Sequence, residues 1–235
     1  MSQSEGYKFE GAEILQLGAG VMPNYNRSIA EMVRRYGAGA RDVLDFGAGI
    51  GTLSETVREL GIAPLCLEPD ARQRAELDRR GFRTVASLAE IGDGSLDYIY
   101  SSNVLEHIQD DVETLIELRR ALRAGGRLFL YVPAFQSLYS AMDRAVGHVR
   151  RYERATLDEK LRAAGFTVES LYYADVLGFF VTRLFMAVGN DTDKINPLTM
   201  NVYDRFIFPI GRLIERLGRM PVGKNVVAIA RNGPA

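Results

Sequence analysis

The chain has 235 residues, room for one large domain or for one domain with a cap. Its 47% hydrophobic and 25% charged residues are ordinary for a globular protein, and a formal net charge of −1 leaves no electrostatic footprint for nucleic acid. The single cysteine, Cys66, excludes an intramolecular disulfide and a thiolate cluster, so no metal site is expected beyond the open case of a carboxylate-bound ion.

Residues 1–10 are polar and lack a signal-peptide apolar core, so a cytoplasmic location is the default expectation. Met1 to Tyr7 reads as a loose terminus, and Leu17-Gly18-Ala19-Gly20 as a loop with no strand ahead of it. Ile29 to Tyr36 predicts a helix, with Asn26 or Ser28 near its start and Gly37 as its stop. Strands and helices then alternate. Strands are expected at Val43–Phe46, Pro64–Leu67, Arg83–Val85, Leu96–Ser101, Arg127–Val132 and Thr167–Ala174. Helices are expected at Thr52–Leu60, Ala71–Arg80, Asp111–Leu122 and Thr156–Ala164, with Gly61, Gly81, Gly125 and Gly165 at their C-termini. Such alternation with short connections predicts a mainly parallel sheet covered on both faces. Val226 to Ala230 reads as a last strand after a turn at Pro221 and Gly223. Cys66 falls inside the second strand as a small buried hydrophobe.

The stretch Asp45-Phe46-Gly47-Ala48-Gly49-Ile50-Gly51 joins the first strand to a helix start. Glycines permit the tight turn and a close approach of backbone to a ligand. The spacing is G-x-G-x-G, and Thr52 stands where the dinucleotide fingerprint has its third glycine. A carboxylate at Asp45 would repel a pyrophosphate but suits a ligand bearing an ammonium group. The next strand ends in Glu68, placed to accept hydrogen bonds from ribose hydroxyls.

On these residues the chain resembles the class I S-adenosylmethionine (SAM)-dependent methyltransferases. Asp45 to Gly51 is similar to their first motif, and Leu67-Glu68-Pro69-Asp70 to their ribose-binding segment. Leu96 to Ile108 resembles their fourth strand and the loop after it, and Leu122 to Leu130 their helix, Gly-Gly turn and fifth strand. The resemblance covers roughly residues 42–174. It implies a doubly wound, Rossmann-like, seven-stranded α/β sheet whose last strand is antiparallel and inserts beside the fifth, with a helical insertion before that strand. It implies a core at 41–175 and 221–235, and an N-terminal helical segment, 1–40, lying over the cofactor.

The implied cofactor is SAM and the implied product S-adenosylhomocysteine. The resemblance assigns to the cofactor Asp45, by the methionine ammonium, and the loop residues Gly47, Ala48, Gly49 and Gly51. It assigns Glu68 and Pro69 to the ribose, and Ser87 and Leu88 to the adenine, although no acidic or amide side chain stands at those two positions. Ser102 and Asn103 border the methyl end, and His107 forms pocket wall. No Asn-Pro-Pro-Tyr segment follows the fourth strand, which argues against methylation of adenine or glutamine amino groups.

Two segments bear on the acceptor. Asp143 to Tyr152 lies beyond the fifth strand and resembles the Gly-His-x-Arg-Arg-Tyr segment of a bacterial branch of these enzymes. Histidine is the side-chain type that exchanges protons nearest neutral pH, and guanidinium groups suit phosphate or carboxylate. His148 is therefore the candidate base, and Arg150, Arg151 and Tyr152 the candidate substrate contacts; the bland alternative is a solvated basic loop whose His148 and Tyr152 pack locally.

Val176 to Val188 and Tyr203 to Leu217 are apolar-aromatic helix candidates, too short to span a membrane, separated by a polar loop at Asn190–Asn196. In the second, Arg205, Arg212, Arg216 and Arg219 share one face and Phe206, Ile210, Leu213 and Leu217 form an opposing stripe. The first expectation for 176–220 is a cap over the substrate site; peripheral membrane contact, at the inner face, and a homodimer interface are the other readings.

The reading is thus a methyltransferase acting on a small-molecule or lipid- or glycan-linked acceptor, oxygen before nitrogen. A non-catalytic SAM-binding module and an NAD or nucleotide-sugar oxidoreductase are its rivals.

Overall fold

The computed structural model describes residues 21–189 and 196–233. The expectations for the first 20 residues, and for most of the polar loop at 190–196, fall outside the described residues.

Helix α1 (Pro23–Tyr36) precedes the first strand and starts earlier than the local pattern predicts. Met22, at its N-cap, has no side-chain oxygen to offer. The carboxylate of Asp204 supplies it instead, accepting from the amides of Asn24 (3.0 Å) and Tyr25 (2.8 Å). An anion at a helix N-terminus satisfies orphan N–H groups and complements the helix dipole.

From β1 (Val43–Phe46) the chain alternates through α2 (Thr52–Glu59), β2 (Leu65–Leu67), α3 (Ala71–Arg79), β3 (Arg83–Val85), β4 (Leu96–Ser102) and α4 (Asp111–Ala121). It continues through β5 (Leu122–Pro133), the short α5 (Ala141–Ala145), α6 (Arg154–Ala163) and β6 (Phe166–Ala174). Helices α7 (Val176–Ala187), α8 (Pro197–Val202) and α9 (Phe208–Glu215) lead to β7 (Asn225–Asn232); a single π-helical segment, Tyr203–Ile207, joins α8 to α9.

The seven strands lie in the order β3-β2-β1-β4-β5-β7-β6. Neighbouring strands from β3 to β5 pair in parallel, and β7 pairs antiparallel with both β5 and β6. The expected fold is therefore the observed one. Two details differ. The expected Gly-Gly turn at Gly125-Gly126 belongs to β5, where the register against β4 slips between Leu96 and Tyr98. Strand β7 is also longer than the run that announced it.

Alternation along the strands feeds two cores, as a period of two requires. Leu44, Ile99, Leu128 and Leu130 pack with Leu115 and Leu118 of α4 and Leu157 and Leu161 of α6. Val43, Tyr98, Tyr100 and Phe129 pack on the other face with Ile29 and Val33 of α1 and Val57 of α2. Each such side chain contributes about 1.5–3 kcal/mol when fully buried. The result is a rigid sheet with a single carboxyl edge for β1 to β6. Three non-glycine residues with positive φ stand on it: Asn103 (55°) after β4, Phe135 (61°) after β5 and Asp175 (61°) after β6. Backbone in this region is costly and gathers where function requires it.

The insertion does not pack as a simple cap. Its inner side is anchored by buried Tyr203, Asp204 and Phe208, with the Tyr203 hydroxyl donating to Asp175. Its apolar stripe points outward: Phe206, Ile210, Leu213 and Leu217 are 59%, 56%, 61% and 86% exposed.

Candidate active site

The glycine loop is held from below. The amides of Gly47 and Ala48 both donate to the Leu67 carbonyl, at 2.9 and 3.0 Å, and so tie the loop to the end of β2. Gly47 has φ 80°, and a Cβ there would overlap the Val104 side chain. Only glycine meets both demands, and the close approach sets the loop against the Asn103–His107 stretch. Gly51 caps α2 with φ 86°, where a Cβ would overlap Leu77.

Glu68 accepts from the Gly49 amide through Oε2 and from the Asp70 amide through Oε1, both at 2.9 Å. Burial pushes its carboxyl up, and those two amides oppose the shift. Each oxygen keeps acceptor capacity, as a ribose-binding carboxylate needs. Asp45 is buried beneath the loop and accepts from the Ser54 hydroxyl at 2.5 Å. Burial pushes Asp45 to about 7; Ser54 opposes this and the charge of Glu68 adds to it. Its carboxyl thus backs the loop rather than lining an open surface.

Pro69 is exposed and its carbonyl accepts from Arg74 (2.8 Å). Ser87 opens a short turn and engages Glu90, while Leu88 is half-buried against the core and its carbonyl holds Arg120. Ser102 accepts from the Asn103 amide side chain (3.2 Å), and the Asn103 backbone donates to the Tyr131 carbonyl (2.8 Å). These bonds fix the corner after β4.

A polar cluster beyond β4 and β5 is built around His107 and His148. Their rings meet edge to face with centroids 4.6 Å apart. Nδ1 of His148 lies 2.6 Å from Asp143 Oδ1. Asp143 also accepts from the Ser140 amide and hydroxyl (2.8 Å each) and from Arg151 Nε (2.9 Å) and Nη2 (2.8 Å). Burial opposes its ionisation, but His148 and Arg151 outweigh burial and hold its carboxyl well below the usual carboxylate range. An ionised Asp143 makes Nδ1 the donor and leaves the lone pair of His148 on Nε2. That atom stands 3.7 Å from Oε1 of Glu106.

Glu106 is fully buried, and neither carboxyl oxygen has a hydrogen-bond partner among the described residues. Burial raises its pKa to about 8; its own backbone amide opposes the shift and the charge of Asp143 adds to it. His107 is pushed down to about 4, first by burial and then by His148. Glu106, His107 and His148 each bring a ligand-type atom within 4.8 Å of the others, a spacing that the expectation of no metal did not foresee.

The expected substrate contacts are turned elsewhere. Arg150 pairs with Asp111 (2.5 Å) and donates to the Gln109 carbonyl (2.8 Å). Arg151 is taken up by Asp143. Tyr152 is 1% exposed and donates to Asp111 (2.8 Å) and the Leu105 carbonyl (3.2 Å). Its backbone amide donates to the Pro133 carbonyl and its own carbonyl accepts from Phe135, both at 2.9 Å. Residues 150–152 are thus a strap that clamps the His148 loop to the end of β5, because internal carboxylates satisfy their charges. Glu106 and Asp143, which spacing alone did not single out, prove central. Their only sequence signal was an acid beside each histidine, in Glu106-His107 and Asp143…His148.

An open sheet with a glycine loop, a strand-end carboxylate on that loop and a polar cluster beyond the fourth strand is the arrangement of a nucleotide-type cofactor domain. The model of the family described as "Methyltransferase domain" matches residues 22–171. The chain belongs to that methyltransferase family, and SAM is its cofactor. A protein of Mycolicibacterium smegmatis described as "Probable S-adenosylmethionine-dependent methyltransferase" is 32% identical over 148 residues, 60% of this chain and 55% of its own. A ubiquinone biosynthesis O-methyltransferase of Xanthomonas oryzae pv. oryzae is 36% identical over 104 residues, 40% of this chain and 43% of its own. The chain spans about half the length of the curated relatives it matches. Among solved structures, a SAM-dependent methyltransferase of Thermotoga maritima superposes with a TM-score of 0.67 at 16% identity, covering 96% of this chain and 98% of that one. The Burkholderia thailandensis 1,6-didemethyltoxoflavin-N1-methyltransferase, solved with S-adenosylhomocysteine, gives 0.60 at 18% identity, covering 100% and 92%. These two likenesses are of fold alone. Among the described residues no helix is long and apolar enough to cross a membrane.

Proposed function

We propose that this protein transfers the methyl group of SAM to an oxygen of a small or lipid- or glycan-linked acceptor, with His148 as the base. The observation that carries the reading is the Asp143–His148 pair at the carboxyl edge of the sheet, with Nε2 directed toward Glu106. SAM supplies an activated methyl on a sulfonium. The acceptor oxygen forms its bond to that carbon as the S–CH3 bond breaks and its electron pair stays on sulfur. The acceptor proton passes to His148 Nε2, general-base help worth about 10²–10⁴ in rate. Asp143 is the positioning residue that fixes the tautomer, and Asn103 and the glycine loop set the direction of approach. In this reading Asp45 lies behind the methionine end and Glu68 holds the ribose.

The oxygen preference is supported by the local likeness to the ubiquinone O-methyltransferase. Gly147-His148-Val149-Arg150-Arg151-Tyr152 supports a bacterial envelope- or glycan-associated branch and a sugar or polyprenyl-linked acceptor. Release of S-adenosylhomocysteine, measured across hydroxylated and amine acceptors, tests the reading. Turnover confined to amines would overturn the oxygen assignment, and SAM binding with no turnover on any acceptor would favour a regulatory module.

A further inference from the structure

Beside the carboxyl end of β6, a cleft of about 440 Å³ opens between α1, β6 and the end of α9. Arg35, Arg212, Arg216 and Arg219 line it, with Tyr36 and Tyr172. Glu215 is the one acid on its wall among the described residues, and it is already taken by Arg212 (2.6 Å) and the Val176 amide (2.9 Å). Arg219 donates to the Ser170 hydroxyl (3.0 Å) and stands over the Tyr172 ring; Arg35 stands over Tyr36. Among the described residues Arg35, Arg216 and Arg219 have no carboxylate partner. Three uncompensated guanidinium groups around one cleft form an anion site, and guanidinium suits phosphate geometry.

The flank of this cleft is apolar. Ten of the twelve exposed large apolar side chains among the described residues fall between 180 and 217. On α7 and at its C-cap, Phe180, Leu184 and Val188 recur every fourth residue at 55%, 62% and 68% exposure. On α9 and its flanks, Phe206, Ile210, Leu213 and Leu217 continue the surface. A patch of this kind is unusual for a surface that meets only water. The charges along it have one sign: the exposed ionisable side chains of the described insertion are Arg183, Arg205, Arg216 and Arg219, while Asp204 and Glu215 turn inward.

We propose that this face binds an anionic lipid at a bilayer surface, with the lipid phosphate in the Arg35–Arg216–Arg219 cleft and the α7 and α9 stripes in the acyl boundary. Apolar stripes flanked by arginines match phosphates lying above hydrocarbon. A second copy docked through the same face would bring the same one-signed charge and, among the described residues, no exposed acid of the insertion to meet it. The proposal does not depend on which acceptor takes the methyl group.

The test is flotation of the full chain with vesicles of phosphatidylcholine alone and with added phosphatidylglycerol. Binding is expected to the anionic vesicles only. Charge reversal by Arg216→Glu with Arg219→Glu should weaken it by roughly tenfold or more. Leu213→Asp with Leu217→Asp should also release the protein; both positions are exposed, and unchanged SAM affinity reports that the fold is intact. Three results would overturn the proposal: equal binding to neutral vesicles, inorganic phosphate binding the cleft while vesicles do not, or a dimer that Leu213→Asp with Leu217→Asp dissociates in the absence of any vesicle binding.

Discussion

Asp143 holds His148 at 2.6 Å through Nδ1, and the same carboxylate takes a two-pronged bond from Arg151. One buried acid therefore orients the proposed base and neutralises the guanidinium that sequence reading had assigned to substrate. His148→Gln should lower kcat by about 10²–10⁴ and leave SAM affinity unchanged. Asp143→Asn should lower kcat by releasing the His148 tautomer, and should also lower stability because it leaves the Arg151 guanidinium unpaired, with little change in acceptor KM. Calorimetric SAM binding beside steady-state kinetics separates the two effects.

Gly47 is confined by its positive φ and by Val104 together. Gly47→Ala should abolish measurable SAM binding and cost about 1–3 kcal/mol of stability. Gly39 also has positive φ but nothing near a Cβ, so Gly39→Ala should cost stability without touching SAM affinity. Denaturant melts with SAM titrations distinguish the pair.

Tyr152 and Arg150 are expected to act through structure. Tyr152→Phe should cost about 1–3 kcal/mol, because it leaves Asp111 and the Leu105 carbonyl short of a buried donor. The acceptor KM should not move. A raised KM at unchanged stability would return Tyr152 to the substrate.

Buried carboxyls set the pH dependence. Burial pushes Asp45 up to about 7 and Glu106 up to about 8 in the fold, above their ordinary values of 3.8 and 4.5. Between those limits the folded state keeps protons that the unfolded chain has released, so stability falls as pH rises. The Tm should decrease from pH 5 to pH 8, and Asp45→Asn with Glu106→Gln should flatten the slope. Asp143 has the opposite sign, since its carboxyl is depressed, and its contribution is lost only in strong acid. A cationic ligand end favours ionised Asp45, so SAM binding near pH 6 should release protons, visible as buffer-dependent heats.

The cluster of Glu106, His107 and His148 is close enough to bear on metal use. With His148 as base, a chelator should leave turnover unchanged. Loss of turnover, restored by one divalent ion, would make these side chains ligands instead.

Much of the cofactor half was legible in the sequence because it is local. The apolar run of β1, the glycine loop and Glu68 lie within 26 residues, and their spacing carries their geometry. The start of α1 was not legible, because its cap, Asp204, comes from 180 residues away. Periodicity revealed the stripe of Phe206, Ile210, Leu213 and Leu217 but not that it stays uncovered. Glu106 was visible as a letter; its burial with no hydrogen-bond partner among the described residues is a property of the assembled loops. The internal pairing of Arg150 and Arg151 was not legible, because their partners Asp111 and Asp143 are acids that lie outside the strap in sequence.

The most direct test of the central claim follows S-adenosylhomocysteine release from SAM and a hydroxylated acceptor, for the native chain and for His148→Gln at matched SAM saturation. The account predicts turnover by the native chain and a loss of two orders of magnitude or more in the variant, roughly what a positioned base contributes. Equal turnover by both proteins would contradict it.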